Sequence, residues 1–149
     1  MAHEAGPEVL VLDTNIALDL FVFQDPATDT LRDALQAGAC RWLATHAMRD
    51  ELERVLGYPH IARRLQATGR PAPAVLAAFD RQVTTVPAAP RAPYVCKDAD
   101  DQKFIDLAVA HQATLTSKDA AVLCMARRLA RVGVRVCRQW TPRPETAPA

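Results

Sequence analysis

Short apolar runs that alternate with helical patterns constrain the fold of this chain more than any other feature. The run VLVL at residues 9–12 is continuously apolar and closes on Asp13. A strand of this kind is buried on both faces, as strands of a parallel sheet are. Strand-like runs follow at residues 40–44, 113–117 and 134–140, with segments of helical spacing between them. This alternation predicts an α/β fold with a mainly parallel sheet.

Cap and break residues divide the intervening segments into helices. Thr28 and Thr45 are placed to cap the helices that follow them, and Gly57 to end a helix that precedes it. The proline-rich stretch at residues 86–96 predicts an irregular crossing segment before the next helix. A single helix is predicted over residues 120–130.

The length of the chain suits one domain. It has 149 residues, of which 50% are hydrophobic, so a full-sized core is possible. No linker or repeat divides it. We therefore expect one domain over residues 1–140, followed by a Pro-rich tail at residues 141–149 that is disordered.

Charge and cysteine usage bear on partners and compartment. With 18 basic and 17 acidic residues, the formal charge of +1 neither requires nor excludes nucleic acid as a partner. None of the four cysteines has the close spacing of a zinc knuckle or a redox dithiol. The N-terminal residues lack the pattern of a signal peptide, and no membrane span is expected. The sequence is typical of a cytoplasmic protein.

Two acidic residues follow predicted strands. Asp13 closes the first apolar run, and Asp119 lies two residues beyond the run ATLTS. Ligands of open α/β sheets bind outside the carboxyl ends of the strands, so both carboxylates should face the same crevice. Thr14, Asn15 and Ser117 stand beside them and could hold the carboxylates by hydrogen bonds. Each Asp alone could also be a plain helix cap.

Further acids lie on or near predicted helices. Glu51 and Glu53 stand at opposite edges of one apolar face, and helical geometry does not choose between them. Asp101 falls within the apolar stripe of its helix, which favours it as a ligand because a buried Asp needs a partner. Asp98 is favoured as the cap of that helix, and Asp100 stays open.

Carboxylates that crowd together repel one another and lose hydration, so they either bind protons or bind a cation. A divalent ion held by carboxylates with open coordination positions is suited to phosphate chemistry. Lys97, Lys103 and Lys118 flank the acids in sequence and are candidates for contacting a phosphate backbone.

Four ordered motifs resemble those of the PIN-domain family, the metal-dependent ribonucleases found widely as toxins of bacterial toxin–antitoxin pairs. They are LDTN at residues 12–15, E-L-x-x-V-L at 51–56, D-x-x-D-x-x-F-I-x-L-A at 98–108 and L-T-S-K-D at 115–119. The ordered set is more specific than LDTN alone. A three-layer α/β/α fold with a mainly parallel central sheet of four to five strands is what the resemblance implies.

The resemblance also implies a site and an activity. Its acidic set is Asp13, Glu51, Asp101 and Asp119, with Glu51 chosen over Glu53 because the family's acid precedes the L-x-x-V-L run. These residues would hold Mg²⁺ or Mn²⁺ for hydrolysis of RNA, giving 5′-phosphate and 3′-hydroxyl ends. A cognate antitoxin protein and a homodimer are the implied partners. One departure is Ala121, where many relatives carry a further acid, so a second ion would be held more weakly.

Two other classes of protein would also gather acids at strand ends. A phosphate-accepting receiver domain needs an acceptor Asp after a central strand and a Lys after a late one. Lys118 fits the second condition, whereas the acid pair near the first strand is missing. A non-catalytic module that binds RNA or protein through the same cleft is the other alternative.

Overall fold

The protein is described by a computed structural model covering residues 6–143. Within that range the sheet has five strands, all parallel, in the order β3-β2-β1-β4-β5. The strands are β1 (Glu8–Leu12), β2 (Cys40–Ala44), β3 (Val83–Thr85), β4 (Thr114–Thr116) and β5 (Val136–Cys137). The predicted α/β class and its parallel sheet are confirmed.

Every connection between strands contains at least one helix. The connection from β3 to β4 also contains an irregular segment, which precedes its helix. The α-helices of the described residues are α1 (Thr14–Leu18), α2 (Asp29–Gln36), α3 (His46–Leu56), α4 (Pro59–Thr68), α5 (Ala72–Gln82), α6 (Gln102–His111), α7 (Ala120–Leu123) and α8 (Ala126–Ala130). A π-helical turn, Asp19–Phe23, continues α1. A 3₁₀ turn, Ala99–Asp101, leads into α6.

The strand order gives the fold its three layers. Connections from β1 to β2 and β3 step across the sheet in one direction, and those from β3 to β4 and β5 step in the other. Crossovers between parallel strands are right-handed, so the first group of helices and the second lie on opposite faces. Helix α6 packs against β1 and β4, and α2 packs against β2.

Three aromatic side chains pack between the first helical layer and the sheet. Trp42, in β2, is 1% exposed. Phe21 stacks on it with ring centroids 5.9 Å apart, and Phe79 of α5 meets it edge-on at 5.1 Å. Such pairs add to the free energy gained by burying the rings. They hold the continuation of α1 and the end of α5 against the same strand.

The structure differs from the predicted elements in four places. β3 was not predicted because it follows α5 directly, with no turn residue between them. The last strand is only Val136–Cys137. The helix predicted over residues 120–130 is broken where Met125 N bonds to Val122 O, three residues back instead of four. Thr28 makes no side-chain cap bond; its hydroxyl donates to Asp25 O instead.

Two further predictions concern the C-terminal tail and membrane-spanning helices. Of the predicted tail, residues 144–149 lie outside the described residues. Arg143, within them, lies 3.5 Å from Glu8 of β1. None of the helices in residues 6–143 combines the length and apolarity needed to cross a bilayer.

Candidate metal centre

The candidate site lies at the carboxyl ends of β1 and β4. These neighbouring strands are where the connections reverse direction, which is the position at which open α/β sheets form a crevice. Asp13 follows β1 directly, and Asp119 begins α7 just beyond β4. The strand register therefore brings together two residues that are far apart in sequence.

Three predicted acids converge there. Asp13, Asp101 and Asp119 each offer a carboxylate oxygen within 4.8 Å of the others. Asp101 reaches the group from the last residue of the 3₁₀ turn that precedes α6. Asp13 and Asp101 are buried. A cation that takes oxygen ligands can be held by one oxygen from each residue.

Ser117 connects two of the acids. Its Oγ donates a hydrogen bond of 2.6 Å to Asp13 Oδ2 and accepts one of 3.0 Å from Asp119 N. Asn15 Nδ2 lies 3.4 Å from the same Asp13 oxygen. Burial raises the pKa of Asp13, and the Ser117 hydrogen bond partly offsets that rise. Ser117 and Asn15 thus fix the orientation of the Asp13 carboxylate.

Among the acids of this site, Asp101 shows the largest rise in pKa. Its side chain is buried, and its Oδ2 has no hydrogen-bond partner among residues 6–143. Burial, followed by the nearby Asp119 and Asp13 carboxyls, raises the pKa of Asp101 to about 8. A charged carboxylate in this position lacks a balancing partner, and a divalent cation would provide one. The three residues therefore fit a metal ion.

Asp119 is also the helix cap that the sequence allowed. Its Oδ1 accepts a hydrogen bond of 2.9 Å from Ala121 N at the start of α7. A carboxylate has two oxygens and about four acceptor positions, so capping leaves it able to bind a cation. The cap and the acidic group share one residue.

Glu51 lines the same cleft but stands apart from the group of three. Thr14 Oγ1 donates a hydrogen bond of 2.8 Å to Glu51 Oε2, and Lys103 Nζ pairs with Glu51 Oε1. Lys103 Nζ also donates to Asp100 O at 2.6 Å. Glu53 is exposed and outside the cleft lining. Glu51 is thus already balanced by a cation of the chain itself.

The remaining predicted residues have other partners. Asp98 caps the 3₁₀ turn, accepting a hydrogen bond of 3.0 Å from Asp100 N, and both residues lie at the rim of the cleft. Lys118 Nζ bonds to Asp19 at 2.6 Å, outside the cleft lining. Lys97 is exposed and does not line the cleft. Of the three predicted lysines, Lys103 therefore contacts an acid of the cleft, Glu51, whereas Lys97 and Lys118 lie outside the cleft lining.

Arg54 and Tyr58 line the cleft and were not singled out from the sequence. Arg54 is three residues and Tyr58 seven residues after Glu51, a spacing that puts all three on one side of α3 and its C-terminal end. That spacing was the signal that could have identified them.

The comparisons with known proteins agree with this fold. The family model described as the PIN domain matches residues 9–119. The chain is similar to a chain in the crystal structure of VapBC2 from Rickettsia felis bound to a DNA fragment from their promoter. That similarity has a TM-score of 0.59 and 12% identity and covers 86% of this chain and 98% of that chain. At this identity the likeness concerns the fold alone. No curated protein matches the chain.

Proposed function

Because this chain belongs to the PIN-domain family, we propose that it is a metal-dependent endoribonuclease that hydrolyses RNA phosphodiester bonds. The observation that carries the proposal is the unpartnered carboxylate oxygen of buried Asp101 beside two other carboxylates. Three buried or partly buried acids with a raised pKa among them form a costly arrangement unless a cation joins them.

Asp13, Asp101 and Asp119 would hold Mg²⁺ or Mn²⁺. When bound, such an ion makes a coordinated water more acidic and offsets charge on the phosphate oxygens. Ser117 and Asn15 keep the Asp13 carboxylate in the orientation that faces the other two. Lys103 and Thr14 keep Glu51 at the edge of the group, from which it can bind a water next to the ion.

The receiver alternative is disfavoured by one contact. In that chemistry the Lys after a late strand must reach the phosphoryl group on the acceptor Asp. Lys118 follows β4, yet its ammonium pairs with Asp19 and does not line the acidic cleft. The non-catalytic alternative differs from the proposal in predicting no metal-dependent cleavage.

The wider proposal is that the protein is the toxin of a toxin–antitoxin pair. Support comes from family membership, and from the similarity in fold to a chain of the VapBC2 structure. We propose that a cognate antitoxin protein blocks the acidic cleft with a basic side chain. Homodimer formation and a cytoplasmic location remain predictions from the sequence.

Metal removal tests the proposed activity. We expect protein stripped with a chelator to leave a labelled RNA intact, and added Mn²⁺ or Mg²⁺ to restore cleavage to products with 5′-phosphate and 3′-hydroxyl ends. Because Ala121 supplies no further carboxylate, calorimetric titration with Mn²⁺ should give a stoichiometry of about one ion per chain. Cleavage that persists in chelator would contradict the proposal. Absence of both Mn²⁺ binding and cleavage would favour a non-catalytic module.

A further inference from the structure

We propose that Tyr58 and Arg54 form a binding subsite for one unpaired nucleotide beside the metal centre. Tyr58 would stack on the base and Arg54 would bind the adjoining phosphate. This inference rests on the proposed ribonuclease function and names the class of substrate it would take: RNA that is single-stranded at this position.

The charge of the cleft singles out Arg54. Six carboxylates line it, from Asp13, Glu51, Asp98, Asp100, Asp101 and Asp119. Within the described residues, Arg54 is the single basic residue of that lining. A negatively charged backbone that approaches so many acids needs a cation besides the metal ion. Lys103 and Lys118 are already engaged with Glu51 and Asp19, which leaves Arg54 as the available charge.

Arg54 is free to bind a ligand. It is exposed, and it takes part in none of the ion pairs found in residues 6–143. A hydrogen bond with the adjacent Tyr58 side chain raises the pKa of its guanidinium. The guanidinium is charged at neutral pH in any case. The planar guanidinium can donate two parallel hydrogen bonds to phosphate oxygens.

Tyr58 is the aromatic residue of the cleft lining, and 42% of its surface is exposed. Large hydrophobic residues this exposed are few between residues 6 and 143; Val95 is the other. An exposed ring at the edge of a phosphate-processing site offers a face on which an unpaired base can stack. A base inside a duplex is already stacked and paired, and its face is not available.

The backbone beneath the Tyr58 ring is held firmly. Tyr58 N bonds to Val55 O at 3.0 Å, and Tyr58 O accepts hydrogen bonds from Ile61 N and Ala62 N. Pro59 follows at the first position of α4 and restricts Tyr58 to extended backbone geometry. A ring on a fixed backbone loses little conformational freedom when a ligand binds. The cleft has a volume of about 300 Å³, which is sufficient for a small ligand group.

Binding of a short fluorescent single-stranded RNA tests the stacking contact. Stacking on an aromatic side chain has an energy equivalent to roughly a tenfold change in affinity or more, so Tyr58→Ala should weaken binding by about tenfold. Tyr58→Phe should bind within about twofold of wild type because it keeps the aromatic face. Val95→Ala, which also removes exposed apolar surface but lies outside the cleft lining, is the matched control and should bind normally.

An abasic substitution in the RNA places the contact. Moving one abasic residue along the RNA should reveal one position next to the cleaved phosphate where loss of the base weakens binding. At that position Tyr58→Ala should add no further loss, because both changes remove the same interaction. Annealing the RNA into a duplex should reduce wild-type binding to the level of Tyr58→Ala.

Arg54 is tested through salt dependence. One phosphate contact to single-stranded nucleic acid contributes about 0.7 to the slope of log affinity against log salt concentration. Arg54→Gln should make this salt dependence shallower, reducing the magnitude of the slope by about that amount. Arg63→Gln changes an exposed arginine outside the cleft lining and should leave the slope unchanged.

The two proposals fail in different ways. If wild type cleaves RNA in a metal-dependent manner while Tyr58→Ala and Arg54→Gln bind RNA like wild type, the subsite is wrong and the nuclease function stands. If wild type shows no metal-dependent cleavage, the proposed function is wrong.

Discussion

Asp101→Asn is expected to lower the rate of RNA cleavage in Mn²⁺ by roughly 10²–10³-fold, the scale of losing one electrostatic contact to a transition state. The amide cannot provide the negative charge that Asp101 brings to the group of three. Its N–H can donate to the neighbouring Asp119 carboxylate, so the fold should remain intact. Asp13→Asn should have a comparable effect on cleavage, since Asp13 belongs to the same group.

The matched control is Asp50→Asn. Asp50 is exposed on α3 and lies outside the cleft lining, so its loss removes one carboxylate and leaves the site complete. Initial rates on a labelled RNA, with far-UV circular dichroism on each variant, distinguish a damaged site from a damaged fold. Cleavage by Asp101→Asn at the wild-type rate would show that this carboxylate does not serve the reaction.

The same substitution should stabilise the metal-free protein, and increasingly so as pH rises. In the folded chain the pKa of Asp101 is raised to about 8 from its ordinary value of 3.8. Between these two pH values the folded state retains a proton that the unfolded state has lost. The free energy of unfolding of the metal-free protein therefore falls as pH rises through that window. The amide introduced by Asp101→Asn does not titrate, so this loss disappears in the variant.

Thermal unfolding in chelator at pH 5 and pH 8 measures the effect. A tenfold difference in proton affinity between folded and unfolded states corresponds to about 1.4 kcal/mol, which moves the Tm of a domain this size by about 3–6 °C. The Tm of Asp101→Asn minus that of wild type should be larger at pH 8 than at pH 5 by at least that amount. Saturating Mn²⁺ should reverse the order, because wild type gains the binding free energy. If Asp101→Asn and wild type have equal Tm values at both pH 5 and pH 8, the raised pKa of Asp101 is contradicted.

Much of the fold could be predicted from the sequence because the residue patterns that determine it are local. The apolar run before Asp13 marked the central strand, and Thr45 does cap α3, accepting a hydrogen bond from Met48 N. The missed strand β3 carries no local signal: its register is set by pairing with β2, which brings Val83 opposite Trp42. Short edge strands of this kind depend on tertiary contacts rather than on propensity.

The position of some site residues could be predicted from the sequence, whereas the partners of others could not. Strand ends located Asp13 and Asp119, because parallel strands share one carboxyl edge. Glu51 stands apart from the other three acids, and its ion pair is with Lys103, whose ammonium reaches it from a different helix. The partnership of Lys118 with Asp19 likewise joins residues about a hundred positions apart. Sequence spacing places backbones, whereas the partner of a long charged side chain is decided by packing.

The pairing of the central strand with β4 also governs when the acidic group can assemble during synthesis. Ser117 and Asp13, whose hydrogen bond ties the acids together, are separated by 104 positions in the chain. A nascent chain that ends before residue 117 contains Asp13 but neither Asp119 nor the serine that connects them. No such chain can hold the three carboxylates together, so the proposed metal centre cannot assemble before residue 119 has left the ribosome.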